Sequence, residues 1–96
     1  MNTTYTVRSV NPQERWIFIA SDDDFEFEEP DAFVCLLKRI QKEVGGPVHE
    51  VGPGAWKLPE DGLGLRYQWD SLFGITVVYP PEASAQQVLD FLSYYF

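Results

Sequence analysis

The sequence predicts an α+β fold. The expected form is a two-layer sandwich, an antiparallel sheet of four to five strands with two helices on one face, in ββα-ββα order. Three observations predict it. Residues 63–80 alternate with a period of two: Leu63, Leu65, Tyr67 and Trp69 share one face, and Phe73, Ile75, Val77 and Tyr79 resume the pattern after a break at Asp70-Ser71. That is how a hairpin with one buried face reads. Phe33, Leu36, Leu37, Ile40 and Val44 recur at the spacing of one helical face. Ser84 and Gln87 have the S-x-x-Q spacing of a capping box, ahead of an apolar stripe of Ala85, Val88, Leu89, Leu92 and Phe96.

The remaining elements follow in chain order. Residues 4–10 alternate as a strand, and Asn11-Pro12-Gln13-Glu14 is a turn, because proline presets its second position and asparagine bonds its own backbone. Residues 15–21 form a second strand. It is apolar on consecutive positions from Trp16 to Ala20, as in a strand that is covered on both faces or lies mid-sheet. Residues 22–29 read as an irregular or short edge segment, since adjacent like charges disfavour a long regular strand and protect an edge from aggregation. Pro30 suits the first turn of a helix, Lys38, Arg39 and Lys42 complement its C-terminal dipole, and Gly45-Gly46-Pro47 stops it, so a helix is expected over 30–44. Residues 48–51 and 55–57 are candidates for short pairings with the sheet. Pro80-Pro81 ends the hairpin, because neither residue donates to a ladder.

Ninety-six residues make one domain spanning 1–96. No run approaches the length of a transmembrane helix. The start lacks a basic and an apolar signal region, and the lone Cys35 cannot form an internal disulfide, which together point to the cytoplasm. The chain carries 15 acids against 7 bases, a net charge of −8. Such a field repels nucleic-acid phosphates and anionic membranes, so neither is an expected partner, and a basic protein is the natural one.

The strongest functional lead is the acidic run. Asp22, Asp23, Asp24, Glu26, Glu28 and Glu29 surround Phe25 and Phe27. The carboxylates would steer a basic partner, and nearby aromatics such as Trp16, Phe25 or Phe27 would serve as anchors, with Trp56 a further partner-binding candidate. The simpler reading of the same residues is a solubilising edge. Their order lacks the glycine of a calcium loop, so no metal is assigned. Trp56, between Pro53 and Pro59, is either a lid on the core's edge or an interface anchor. Cys35 stands mid-helix among apolar neighbours, without the environment that activates a thiol. His49 has no second histidine or cysteine near it to make a zinc site. The glycines at 52, 54, 62 and 64 lack phosphate-loop spacing.

No catalytic group, cofactor or metal is expected. The leading expectation is a non-enzymatic acidic protein-binding module. It would cover a basic site on a partner, as an inhibitor or immunity-type protein does. The alternative is a structural protein that forms a homodimer, and a small-molecule or metal-binding domain comes third. The polar side of the hairpin, with Arg66, Gln68 and Thr76, is the second place for a partner if nothing covers it.

Overall fold

The computed structural model describes residues 4–21, 31–70, 72 and 74–96. In chain order these form β1 (Tyr5–Asn11), β2 (Trp16–Ser21), α1 (Asp31–Val44), β3 (His49–Gly52), β4 (Ala55–Lys57), a 3-10 turn (Pro59–Asp61), β5 (Arg66–Asp70), β6 (Gly74–Val78) and α2 (Ala85–Ser93). The strands build one antiparallel sheet in the order β1-β2-β6-β5-β4-β3.

The α+β class stands, and two finer expectations are corrected. Among the described residues the sheet has six strands rather than four to five, and the element order is ββα-ββββα rather than ββα-ββα. The reason is length. β3 has 4 residues and β4 has 3, too few to display an alternation, yet they pair across a tight turn at Pro53-Gly54. Gly54 has a φ of 68°, and a Cβ there would lie 2.7 Å from the Trp69 carbonyl oxygen. Its own carbonyl accepts from the Trp69 N–H at 2.9 Å. Only a residue without a side chain lets that turn close on β5.

β2 lies mid-sheet, between β1 and β6. Ile17 and Ile19 face the helices, while Trp16 and Phe18 face the other way. The inner face of the sheet contributes Tyr5, Ile17, Ile19, Tyr67, Ile75 and Val77 to one core. It is closed by Phe33, Leu36, Leu37 and Ile40 from α1 and by Val88 and Leu92 from α2. Each such side chain contributes about 1.5–3 kcal/mol on full burial.

Both helices obey their local signals. Ser84 Oγ accepts from the Gln87 N–H at 3.1 Å, and the Gln87 side chain accepts from the Ser84 N–H at 2.9 Å, a complete capping box. The last turn of α1 is closed by the Gly45 N–H donating to the Gln41 carbonyl at 2.8 Å. Arg39 ties the two helices to the sheet. Its guanidinium lies 5.1 Å from the centre of the Tyr5 ring and donates to the Tyr95 carbonyl at 3.2 Å.

The entry to β5 depends on one buried carboxylate. Asp61 is 7% exposed. One of its oxygens accepts from the N–H groups of Leu63 at 2.8 Å and Gly64 at 2.9 Å. The other accepts from the Leu65 N–H at 3.3 Å and the Tyr67 hydroxyl at 2.9 Å. The tyrosine in turn is held well above its ordinary pKa, first by burial and then by the adjacent Asp61 charge, both of which oppose a phenolate.

Asp61→Ala should therefore cost about 3 kcal/mol in urea unfolding, because it strands three backbone donors and a buried hydroxyl. Asp61→Asn should cost about half as much, since it keeps one acceptor oxygen. A second expectation concerns pH. Unfolded Tyr67 loses its proton near pH 10 and the folded residue keeps it, so the unfolded state binds fewer protons above that pH. The contribution is intact below about pH 10 and falls by about 1.4 kcal/mol per pH unit above it. Urea midpoints measured between neutral and alkaline pH should show this slope reduced in Tyr67→Phe.

Candidate functional site

The acidic run lies outside the described residues. Asp22, Asp23, Asp24, Phe25, Glu26, Glu28 and Glu29, seven of the eight residues expected at a partner site, fall in that segment. The eighth, Trp56, sits on β4 and faces α1, half-buried, with its ring 5.4 Å from that of Phe33. It lines an apolar groove of about 280 Å³ with Phe33, Val34, Leu37, Val48 and Trp69. Cys35 is a free, partly buried thiol on α1. Among the described residues, no three His, Cys, Asp or Glu side chains are grouped to hold a metal ion. No helix among them is long and apolar enough to cross a membrane.

Both helices lie on one side of the sheet, so the other face is left without a described element packed on it. The strand register orders that face into rows. One row crosses all six strands as Asn11, Trp16, Val78, Arg66, Lys57 and His49. The next outward row runs Ser9, Phe18, Thr76, Gln68, Ala55 and Gly52. Trp16 is 39% exposed, and its ring stands edge-on to Phe18 at 6.0 Å and 87°. The polar side of the hairpin, singled out by sequence as a second surface, is thus joined to an aromatic pair from β2.

The basic residues gather here. Arg15, Lys57 and Arg66 line one depression of about 410 Å³ with Val51, Tyr79 and Pro80. Arg66 also lines a neighbouring depression of about 360 Å³ with Trp16, Phe18, Gln68, Asp70 and Thr76. Arg8 and Phe18 line a third, of about 220 Å³. Four of the 7 bases in the chain therefore border this face. Seven of the 15 acids lie in 22–31, so the rest of the molecule carries eight acids against 7 bases and is close to neutral. A local positive surface is compatible with that balance.

Three features position these groups. Lys57 and Arg66 are direct cross-strand neighbours, an arrangement that like charges disfavour. The Arg66 guanidinium reaches over β4 to Gly52, where a Cβ would stand 3.4 Å from its terminal nitrogen. The absent side chain leaves room for it. Arg15 takes a left-handed backbone with φ of 58°. Its carbonyl accepts from the Tyr79 N–H at 3.0 Å, and its Nε donates to the Tyr79 carbonyl at 3.2 Å. A glycine would satisfy that turn at lower conformational cost. The residue present instead brings a guanidinium, with Nε anchored, beside Lys57 and Arg66.

Sequence reasoning placed Arg66, Gln68 and Thr76 on this face and missed Arg8, Arg15 and Lys57 as its company. Their gathering depends on strand order, which no spacing in the chain displays. Comparison with protein-family models, with curated proteins and with solved structures finds no match to this chain.

The left-handed conformation of Arg15 yields a direct test. Arg15→Gly and Arg15→Ala both lose the bond to the Tyr79 carbonyl, but only alanine retains the backbone penalty. Arg15→Gly should exceed Arg15→Ala in stability by about 1 kcal/mol in denaturant unfolding.

Proposed function

We propose that this protein is a non-enzymatic binding module whose work is to dock another protein. The observation that carries the reading is the open sheet face, on which an exposed Trp16 in contact with Phe18 borders Arg66, Gln68 and Thr76. Aromatic and arginine side chains are the groups that most often anchor protein interfaces. A shallow surface with several hydrogen-bonding side chains suits a macromolecule better than an enclosed small substrate. The acidic run 22–29 belongs to the same reading as a second pole. Its carboxylates would accelerate encounter with a basic region of a partner, as in an inhibitor or immunity-type protein. The homodimer is the second reading. It is favoured by exposed Val51 on the edge strand β3, at the open end of the sheet.

A photo-reactive benzoylphenylalanine placed at Gln68 tests the proposal in a lysate of the source cells. The expected result is one discrete heavier adduct that is absent when the probe replaces Glu82 and is weakened by Trp16→Ala. No adduct, or the same adduct from both positions, overturns the docking reading. An adduct of twice the chain's mass, with a dimer in sedimentation of the purified protein, assigns the face to a homodimer instead.

A further inference from the structure

We infer that the row Arg66–Lys57–His49, with Arg15 beside it, is a docking site for a carboxylate-rich extended segment of a partner protein; this rests on the docking role proposed for the open face. The charge and the geometry of the row both point there. Arg66, Lys57 and His49 occupy three adjoining strands in direct register on one face. With strands about 4.8 Å apart, the row spans roughly 10 Å. In an extended peptide, carboxylates two residues apart lie about 7 Å from each other on one side. The planar guanidinium of Arg66, which lies across β4 toward Gly52, can hold one carboxylate through two parallel bonds, and Lys57 and Arg15 in the same depression can receive the next.

The cations are available. No carboxylate among the described residues is paired with Arg66 or Lys57. Arg15 donates its Nε to the Tyr79 carbonyl, its one side-chain hydrogen bond among the described residues. Apposed like charges cost stability in a sheet, and an anionic segment laid across them converts that cost into binding. Trp16, next but one to Arg66 in the row, adds apolar contact for the segment's stem.

Protein carboxylates fit better than nucleic-acid phosphates. A phosphate backbone presents dense, closely spaced charge with no neutral unit between its anions. Asp70 also shares a depression with Arg66. A fixed carboxylate there repels an unbroken run of phosphates, whereas a peptide can set a neutral residue opposite it.

The test uses the full chain and a fluorescently labelled peptide of alternating glutamate and serine, with an oligothymidylate of equal charge for comparison. Anisotropy is read at about 20 mM and about 150 mM salt, because screening separates charge-driven binding from the rest. The expected result is peptide binding that weakens with salt. It should fall at least about tenfold in both Arg66→Glu and Lys57→Glu, recover in part in Arg66→Lys, and exceed oligothymidylate binding. Circular dichroism confirms that each variant is folded, and the two reversals lie on different strands, so one unstable variant leaves the other to decide. Absence of peptide binding at low salt, unchanged binding in folded reversal variants, or tighter oligothymidylate binding overturns the inference. The cross-link at Gln68 keeps the two ideas separate. An adduct that persists in Arg66→Glu removes the acidic-segment site and leaves the docking module standing.

Discussion

The carboxylate of Asp61 is the constraint on which the sheet's assembly depends. The chain must leave β4, turn through a short 3-10 segment and re-enter the sheet at β5 within a few residues. That path leaves backbone donors at Leu63, Gly64 and Leu65 without strand partners. Buried donors left unpaired cost about 1–3 kcal/mol each. One carboxylate gathers all three and adds the hydroxyl of Tyr67, whose ring is at the centre of the core. The turn is thereby locked to the packing. The register of β5 against β4 and β6 follows from where that turn ends, and the register decides which side chains meet on the open face.

The same register links stability to surface chemistry. A shift of one residue in β5 would turn Tyr67 outward and bring Arg66 and Gln68 into the core. Burying the guanidinium of Arg66 unpaired would be costly. The core and the basic row therefore enforce one another: Tyr67 opposite Val77 requires Arg66 opposite Val78 and Lys57. The excess acids are concentrated in one stretch of sequence, and four of the 7 bases line depressions on one side of the sheet. Net charge alone conceals this. Steering by the whole field and recognition by a local patch act at different distances, and they need not share a sign.

The helices and the central hairpin were legible because their signals are local. The Ser84–Gln87 box, the Phe33–Ile40 stripe and the alternation from Leu65 to Tyr79 each lie within a dozen or so residues, and each appears in the structure as the element it implies. Trp56 was legible as a residue of interest, but its seat against Phe33 depends on a helix more than a dozen residues earlier. Asp61 carries no comparable local signal. An acid between proline and glycine is ordinary turn chemistry, and nothing nearby discloses that a tyrosine hydroxyl returns to it. Arg15 resembled the start of a strand, and a left-handed backbone at an arginine has no sequence signature.

What the sequence by itself determined is the class of fold, the two helices, the inward face of the hairpin and the strong concentration of acids before α1. These rest on periodicity and capping, which neighbouring residues settle among themselves. Only the tertiary structure decided that β2 pairs with β6, that His49–Gly52 and Ala55–Lys57 extend the sheet to six strands, and that Arg66, Lys57 and His49 align in one row beside Arg15. Pairing between strands is chosen by packing the whole core and by satisfying backbone bonds far apart in the chain. That choice is cooperative, so no single stretch of residues contains it.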